Sequence, residues 1–254
     1  MALLAGKKII ILGLANEKSI AYGISKALKM HGASIALSFQ NEQLQKRVEP
    51  LAQELGADFI FEMEVTQDDH YPRMKEIIIQ KWGKIDGVVH SLAFADREDL
   101  KVNFSQTSRK GFALACDISA FSLVGVANTL KDLMNKGGSI FALTYHGSQK
   151  VTPGYNVMGV AKAALEASMR YLADDLGPQD IRVNCISAGY IRTLASSAIK
   201  GAKEMISQSE EKAPLRRAVS PEDVGGTAVY LASDLSHNVT GQILYVDSGL
   251  SIMA

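Results

Sequence analysis

The chain of 254 residues has two cysteines, one tryptophan, six prolines and no excess of either charge, with 27 Lys+Arg against 27 Asp+Glu. Cys116 and Cys185 lie in apolar runs and form no CxxC pair, which argues against a disulfide framework or a zinc site. Both are read as buried thiols in a reducing compartment. Zero net charge excludes a protein held to nucleic acid or an anionic membrane by bulk basic charge. Residues 1–6 are too short for a signal peptide, and no run approaches the ~20 apolar residues that span a bilayer. A cytoplasmic location is therefore expected. No Pro/Gly/Ser-rich linker and no repeat interrupts the chain, which argues for one domain. The chain is rich in hydrophobic residues, 47% against 21% charged, enough for a large core.

Apolar runs at 8–13, 34–39, 58–65, 87–93, 139–145, 182–187 and 242–247 predict seven strands, each apolar on both faces. Helical periodicity fills the intervals at 19–31, 43–55, 68–82, 112–135, 157–176 and 221–233. Gly32, Gly56, Gly83 and Gly177 follow four of these helices, as left-handed caps do. Regular β-α alternation predicts an α/β fold, a single-domain, doubly wound, seven-stranded parallel sheet of Rossmann type over residues 1–254. The interval at about 190–214 breaks the alternation on the carboxyl edge of the sheet, where open α/β folds bind ligands. It is read as a helical substrate lid.

After the first strand, Gly13 and then Ser19-Ile20-Ala21-Tyr22-Gly23 suit a dinucleotide turn. Glycine lets the backbone approach a pyrophosphate, and a helix N-terminus receives it. An ordinary βα turn would look similar, since G-x-G-x-x-G is absent. Gln40, at the end of the second strand, can hydrogen-bond an adenosine ribose without charge. No arginine follows directly to clamp a 2′-phosphate, which tilts the reading toward NADH over NADPH. Glu64 and Val65 end the third strand, where the carboxylate either meets an adenine amino group or is simply solvated.

Tyr155 and Lys162 are seven residues apart, 20° short of two helical turns, so a helix would present both on one face. A phenol of pKa near 10 is a poor acid at neutrality unless a cation assists it. Lys162 supplies that cation and can also donate to a nicotinamide ribose.

Together with His90-Ser91-Leu92-Ala93-Phe94-Ala95, Asp117-Ile118-Ser119, Tyr145, Tyr155-Asn156-Val157-Met158-Gly159, Ser187-Ala188-Gly189 and Val246-Asp247-Ser248-Gly249, these residues give a chain that resembles the NADH-dependent bacterial enoyl-[acyl-carrier-protein] reductases almost end to end. These belong to the short-chain dehydrogenase/reductase superfamily, whose usual Tyr-x-x-x-Lys and upstream serine are absent: position 159 is Gly and position 142 is Ala. The resemblance implies NADH-dependent reduction of a trans-2-enoyl thioester on acyl carrier protein in fatty-acid elongation, by a homotetramer. It assigns Tyr145, Tyr155 and Lys162 to catalysis. Gly13, Ser19, Ile20, Gln40, Glu64, Val65, Ser91, Leu92, Ala93, Lys162, Ala188, Gly189, Ile191, Arg192, Thr193, Leu194 and Ala195 fall on cofactor contacts. Ala95, Phe94, Tyr145, Tyr155, Met158 and Ile199 fall on the substrate wall, although Phe94, Met158 and Ile199 read equally as core. No metal is implied.

Several positions depart from the family pattern. Glu64 stands where Asp is common, Ala93 where Gly is common, and Tyr190 where proline usually follows Ser-Ala-Gly beside the nicotinamide. His146, next to Tyr145, reads as a structural histidine. On the lid, Lys200 and Lys203 are accompanied by Glu204 where a third cation is usual, which questions how strongly an acidic carrier is attracted. Two other readings stay open: a short-chain reductase of another enone or carbonyl, and a non-catalytic NAD-binding sensor.

Overall fold

The computed structural model of the chain describes residues 2–193 and 210–253. Leu194, Ala195, Ile199, Lys200, Lys203 and Glu204, all singled out above, lie outside the described residues. Seven strands, β1 (Lys8–Leu12), β2 (Ser34–Phe39), β3 (Phe59–Glu62), β4 (Ile85–His90), β5 (Met134–Thr144), β6 (Ile181–Ala188) and β7 (Ile243–Val246), form one sheet in the order β3-β2-β1-β4-β5-β6-β7. All neighbours are parallel. The helices are α1 (Ile20–Met30), α2 (Glu42–Leu55), α3 (His70–Lys81), α4 (Arg97–Lys101), α5 (Arg109–Cys116), α6 (Ser122–Leu130), α7 (Val157–Leu176) and α8 (Pro221–Ala232).

The strand pleat divides the core in two. Ile10, Leu12, Val88, Ile140 and Val183 face α3, α6 and α7. Ile9, Ile11, Ile35, Leu37, Phe141 and Ile186 face α1, α2 and α8. Central strands are therefore apolar on both faces, as a sheet covered on both sides requires. The edge strands are not: Glu62 on β3 and Tyr245 on β7 are exposed, which corrects the expectation of uniform burial.

The predicted helix at 112–135 is a compound element. Between α5 and α6 the chain makes a π turn, Asp117–Phe121, and it closes in a 3-10 turn, Lys131–Leu133. Asn135 belongs to β5 instead, which starts five residues earlier than predicted. Joined in this way, Arg109–Leu133 is long and apolar enough to cross a membrane by length and composition alone, contrary to the sequence expectation. Its inner face, Leu123, Val126, Ala127 and Leu130, is fully buried in the core on the sheet. Three of the four predicted cap glycines have positive φ; Gly177 does not, and the left-handed residue there is Asp180. Both cysteines are free, but Cys116 is only half-buried, so it is not the core thiol expected.

α1 and α8 meet at small residues. A Cβ on Gly23 would lie 2.5 Å from the Pro221 backbone carbonyl carbon, and one on Gly225 would lie 2.7 Å from the Ala27 Cβ. This contact fixes the helix that opens the site described next against the carboxyl-terminal part of the chain. Gly23→Ala should push the two helices apart and lower stability by about 2 kcal/mol, read as a shifted urea midpoint; an unchanged midpoint would refute the close packing.

Candidate active site

The strand order reverses direction between β1 and β4, and a crevice opens there at the carboxyl edge of the sheet, where such folds bind ligands. Gly13 follows β1 with φ +97°, and a Cβ on it would sit 2.1 Å from the Ser91 carbonyl oxygen. Only glycine lets the β1–α1 turn lie this close to the segment after β4. The turn leads to α1, where the Ser19 hydroxyl accepts from the Tyr22 N–H and donates to the Asn16 carbonyl. The N-terminus of α1 thus faces a cavity of about 450 Å³.

Gly13, Ser19 and Ile20 line one side of this cavity, and Ser91, Leu92 and Ala93 line another. Thr144, Tyr145, Tyr155, Met158 and Lys162 form its floor and far end, with Ala188, Gly189, Tyr190, Ile191 and Thr193 beyond. Phe94 and Ala95 also line the cavity, and Phe94 is 48% exposed, so it is no core residue. Met158 is both buried and cavity-lining. Gln40, Glu64, Val65 and Arg192 do not line this cavity. Arg192 is exposed. Gln40 and Glu64 stand together at the ends of β2 and β3, where the Gln40 Nε2 donates to the Glu64 carboxylate. The other Glu64 oxygen accepts from the backbone and hydroxyl of Thr66. Val65 is buried, and its carbonyl accepts from the Tyr71 hydroxyl.

Tyr155 reaches the cavity by a route different from the one predicted. α7 begins at Val157, so the tyrosine precedes the helix and the two-turn spacing to Lys162 does not apply. Asn156 between them has φ +43° and ψ −123°, a strained conformation for a residue with a side chain. Its Nδ2 donates to the Val102 carbonyl at 2.7 Å. Lys162, on the second turn of α7, is buried and its Nζ donates to the Leu143 carbonyl at 2.6 Å. Burial lowers its ammonium to about 8, against the opposing pull of Cys185 and Glu166. Glu166, one turn further on, is also buried, and its Oε1 accepts from the hydroxyls of Thr144 and Ser148, each at 2.6 Å.

The rings of Tyr145 and Tyr155 meet edge to face, centroids 4.9 Å apart. Burial pushes both phenols well above the ordinary tyrosine range, with Tyr190 adding to each. Both are neutral acids at physiological pH. The His146 ring lies tilted against Tyr145, centroids 4.3 Å apart, and its pKa is lowered by burial, which keeps it neutral as well.

Several residues of the site were not found by sequence reasoning. Leu100 and Arg97 line the cavity from α4, a helix of five residues that is too short to show periodicity. Glu166 was within reach of the spacing rule, four residues after Lys162 on one helix. The π turn carries Ser119, whose hydroxyl accepts from the Phe94 N–H at 3.1 Å, and Ser122 follows it, its hydroxyl 2.7 Å from the Nε2 of the fully buried His90. Burial lowers His90 to about 3, so it stays a neutral brace at the end of β4. Sequence periodicity carries no mark of a π turn.

A cleft of this kind fits a dinucleotide. It has a side-chain-free approach at Gly13, a helix N-terminus, a hydrogen-bonding pair beyond it at Gln40 and Glu64, and a buried cation with two tyrosines at the far end.

Comparison with known proteins agrees with this geometry. The chain is 53% identical to enoyl-[acyl-carrier-protein] reductase [NADH] 1 of Rhizobium meliloti, covering 97% of this chain and 91% of that protein. It is 50% identical to the corresponding NADH enzyme of a Nostoc species, over 98% of each. Among solved structures it superposes on the Bacillus cereus enoyl-acyl carrier protein reductase, described with NADP+ and an indole naphthyridinone, at TM-score 0.98 and 48% identity over 100% of both chains. It also superposes on the Anaplasma phagocytophilum reductase in complex with NAD, at TM-score 0.95 and 46% identity over 98% of this chain and 95% of that one. Since the enoyl-(acyl carrier protein) reductase family profile matches residues 13–251, the chain belongs to that family.

Proposed function

We propose that this protein reduces the trans-2 double bond of an enoyl thioester carried by acyl carrier protein, using NADH, in fatty-acid elongation in the cytoplasm. The observation that carries this reading is the convergence of Tyr145, Tyr155 and Lys162 on the far end of a dinucleotide-shaped cleft. When bound, NADH supplies the hydride. The chain's own residues provide the rest. Gly13 and the N-terminus of α1 receive the pyrophosphate. Gln40 spends one of its two Nε2 donors on Glu64, which leaves its Oε1 as an acceptor suited to a ribose hydroxyl. Lys162 uses one donor on Leu143 and has two left for ribose hydroxyls. Its charge, in a site screened from water, also stabilises negative charge nearby.

Tyr155 acts on the substrate oxygen. As charge develops on the thioester carbonyl, a neutral phenol aimed at that oxygen donates to it, and the donation is stronger in the transition state than before it. Tyr145 lies against Tyr155 and shapes the same wall. Reduction of crotonyl- or dodecenoyl-thioester, followed as NADH oxidation, tests the reading. Turnover on enoyl thioesters and not on ketones is expected, and Tyr155→Phe should lower kcat by about 100-fold. Turnover on ketones alone would establish the carbonyl-reductase reading, and NADH binding with no turnover the sensor reading.

Lys162 gives a pH-dependent stability. Its ammonium titrates near 8 when folded, against an ordinary 10.5. Between these values the unfolded chain binds the extra proton, so stability rises with pH. Relative to Lys162→Met, the wild-type protein should gain about 2 kcal/mol between pH 8 and 10, measured by chemical denaturation at each pH. A constant difference would mean that the lysine is not desolvated.

The homotetramer is also part of this reading. The outer faces of α5, α7 and the π turn show Phe112, Tyr171 and Phe121, exposed by 40%, 81% and 54%. A shallow depression of about 610 Å³ lies away from the catalytic cleft, between Val124 of α6 and Ala164, Ala167 and Tyr171 of α7. Tyr171 lines this hollow together with Ser168, Asp174 and Asp175, and large exposed aromatics on neighbouring helices suit an interface between copies. Light scattering should give the mass of four 27.4-kDa chains; a monomer mass would overturn this.

A further inference from the structure

Tyr190 follows the end of β6 and turns its ring into the cavity. The preceding Gly189 N–H donates to the Val246 carbonyl at 2.8 Å, which anchors the backbone there. A Cβ on Gly189 would come within 3.0 Å of the Asp247 Cα, so the strand end is pressed against the segment after β7. From this fixed point the Tyr190 ring meets Tyr145 edge to face, with centroids 5.2 Å apart and planes at 64°. It also stands edge-on to His146 at 6.1 Å. Tyr145 is thereby enclosed by three rings, those of Tyr155, His146 and Tyr190.

The hydroxyl of Tyr145 behaves differently from its ring. The ring lines the cavity, yet the hydroxyl oxygen is shut off from solvent and makes no hydrogen bond of good geometry. It lies beside the hydroxyls of Tyr190 and Thr152, which act on its proton in opposite directions, Tyr190 raising its pKa and Thr152 lowering it. Thr152 is itself 3.4 Å from the His146 Nε2. The hydroxyl of Tyr145 is thus withdrawn into a small polar cluster built by Tyr190, Thr152 and His146, and its ring forms the wall.

We propose that Tyr190 is a positioning residue for Tyr145: its ring and hydroxyl hold the Tyr145 phenol turned into the wall, so that Tyr145 presents an aromatic face to the thioester and Tyr155 alone presents a hydroxyl. Tyr190 acts on the reaction through Tyr145. Edge-to-face pairs between rings are directional, so loss of one partner frees the other to rotate. Misplacing a wall residue beside the reacting atoms costs rate, not cofactor affinity. The inference rests on the enoyl-reduction reading, and a measurement that needs no turnover keeps the two separable.

The test is a double-mutant cycle of Tyr190→Ala and Tyr145→Phe, with Tyr190→Phe as the variant that keeps the ring. Tyr190→Ala should lower kcat for dodecenoyl-thioester about tenfold and leave the NADH Kd within about twofold. Tyr190→Phe should lie between it and wild type. In the double variant the effects should not multiply, because both act on the same phenol. Multiplying effects, or a loss that falls on NADH affinity, would overturn the proposal. Independently of turnover, the Tyr145 ring signals in a ¹³C-tyrosine NMR spectrum, assigned through Tyr145→Phe, should shift in Tyr190→Ala. Unshifted signals would overturn the proposal. If wild type does not reduce the enoyl thioester but the ring signals shift, the functional reading fails and the positioning contact stands.

Discussion

The site depends on how closely two backbones approach at the carboxyl ends of β1 and β4. The missing side chain at Gly13 lets the β1–α1 turn settle against the Ser91 carbonyl, so that the crevice between the two halves of the sheet is narrow and has a helix N-terminus at its mouth. An alanine there would have to displace a backbone carbonyl, which moves only with its strand. The same economy of side chains repeats where α1 crosses α8 at Gly23 and Gly225, and where Gly189 meets Asp247. Glycine at these points sets distances between main chains, and the polar residues of the cleft inherit their positions from them.

Much of this was legible in the sequence. β2 and α7 begin and end where periodicity puts them, because both are long, regular and apolar on the faces they bury. The parallel sheet followed from strict alternation. Tyr155 and Lys162 do line one cavity, but not by the two-turn spacing: Tyr155 lies before the helix, and its place is set by a strained Asn156 that no spacing rule anticipates. The five-residue α4, the π turn under His90 and the four-ring cluster were not legible. α4 is shorter than two helical turns, too short for a periodic pattern to repeat, a π turn changes the repeat by one residue, and the rings come from β5, β6 and the approach to α7, which only the fold brings together.

Two ionisable side chains are buried together beneath the tyrosines. Lys162 and Glu166 occupy one face of α7 beneath the tyrosines, at a depth where the lysine's proton is loosened by burial. Water would relieve this and would also screen the cation from anything in the cleft. The core that excludes water from the lysine therefore sets the strength of its field in the cleft. Hydroxyls from Thr144 and Ser148 occupy the Glu166 oxygen that would otherwise need solvent. Stability and reactivity meet in the same few residues.

The amide of Asn156 extends this linkage to the opposite wall. Its hydrogen bond to the Val102 carbonyl joins the segment after α4 to a peptide that would otherwise relax. Tyr155 and the Val102 segment are therefore two ends of one spring. Loss of that one hydrogen bond would release the Val102 segment and the peptide that places the Tyr155 ring together.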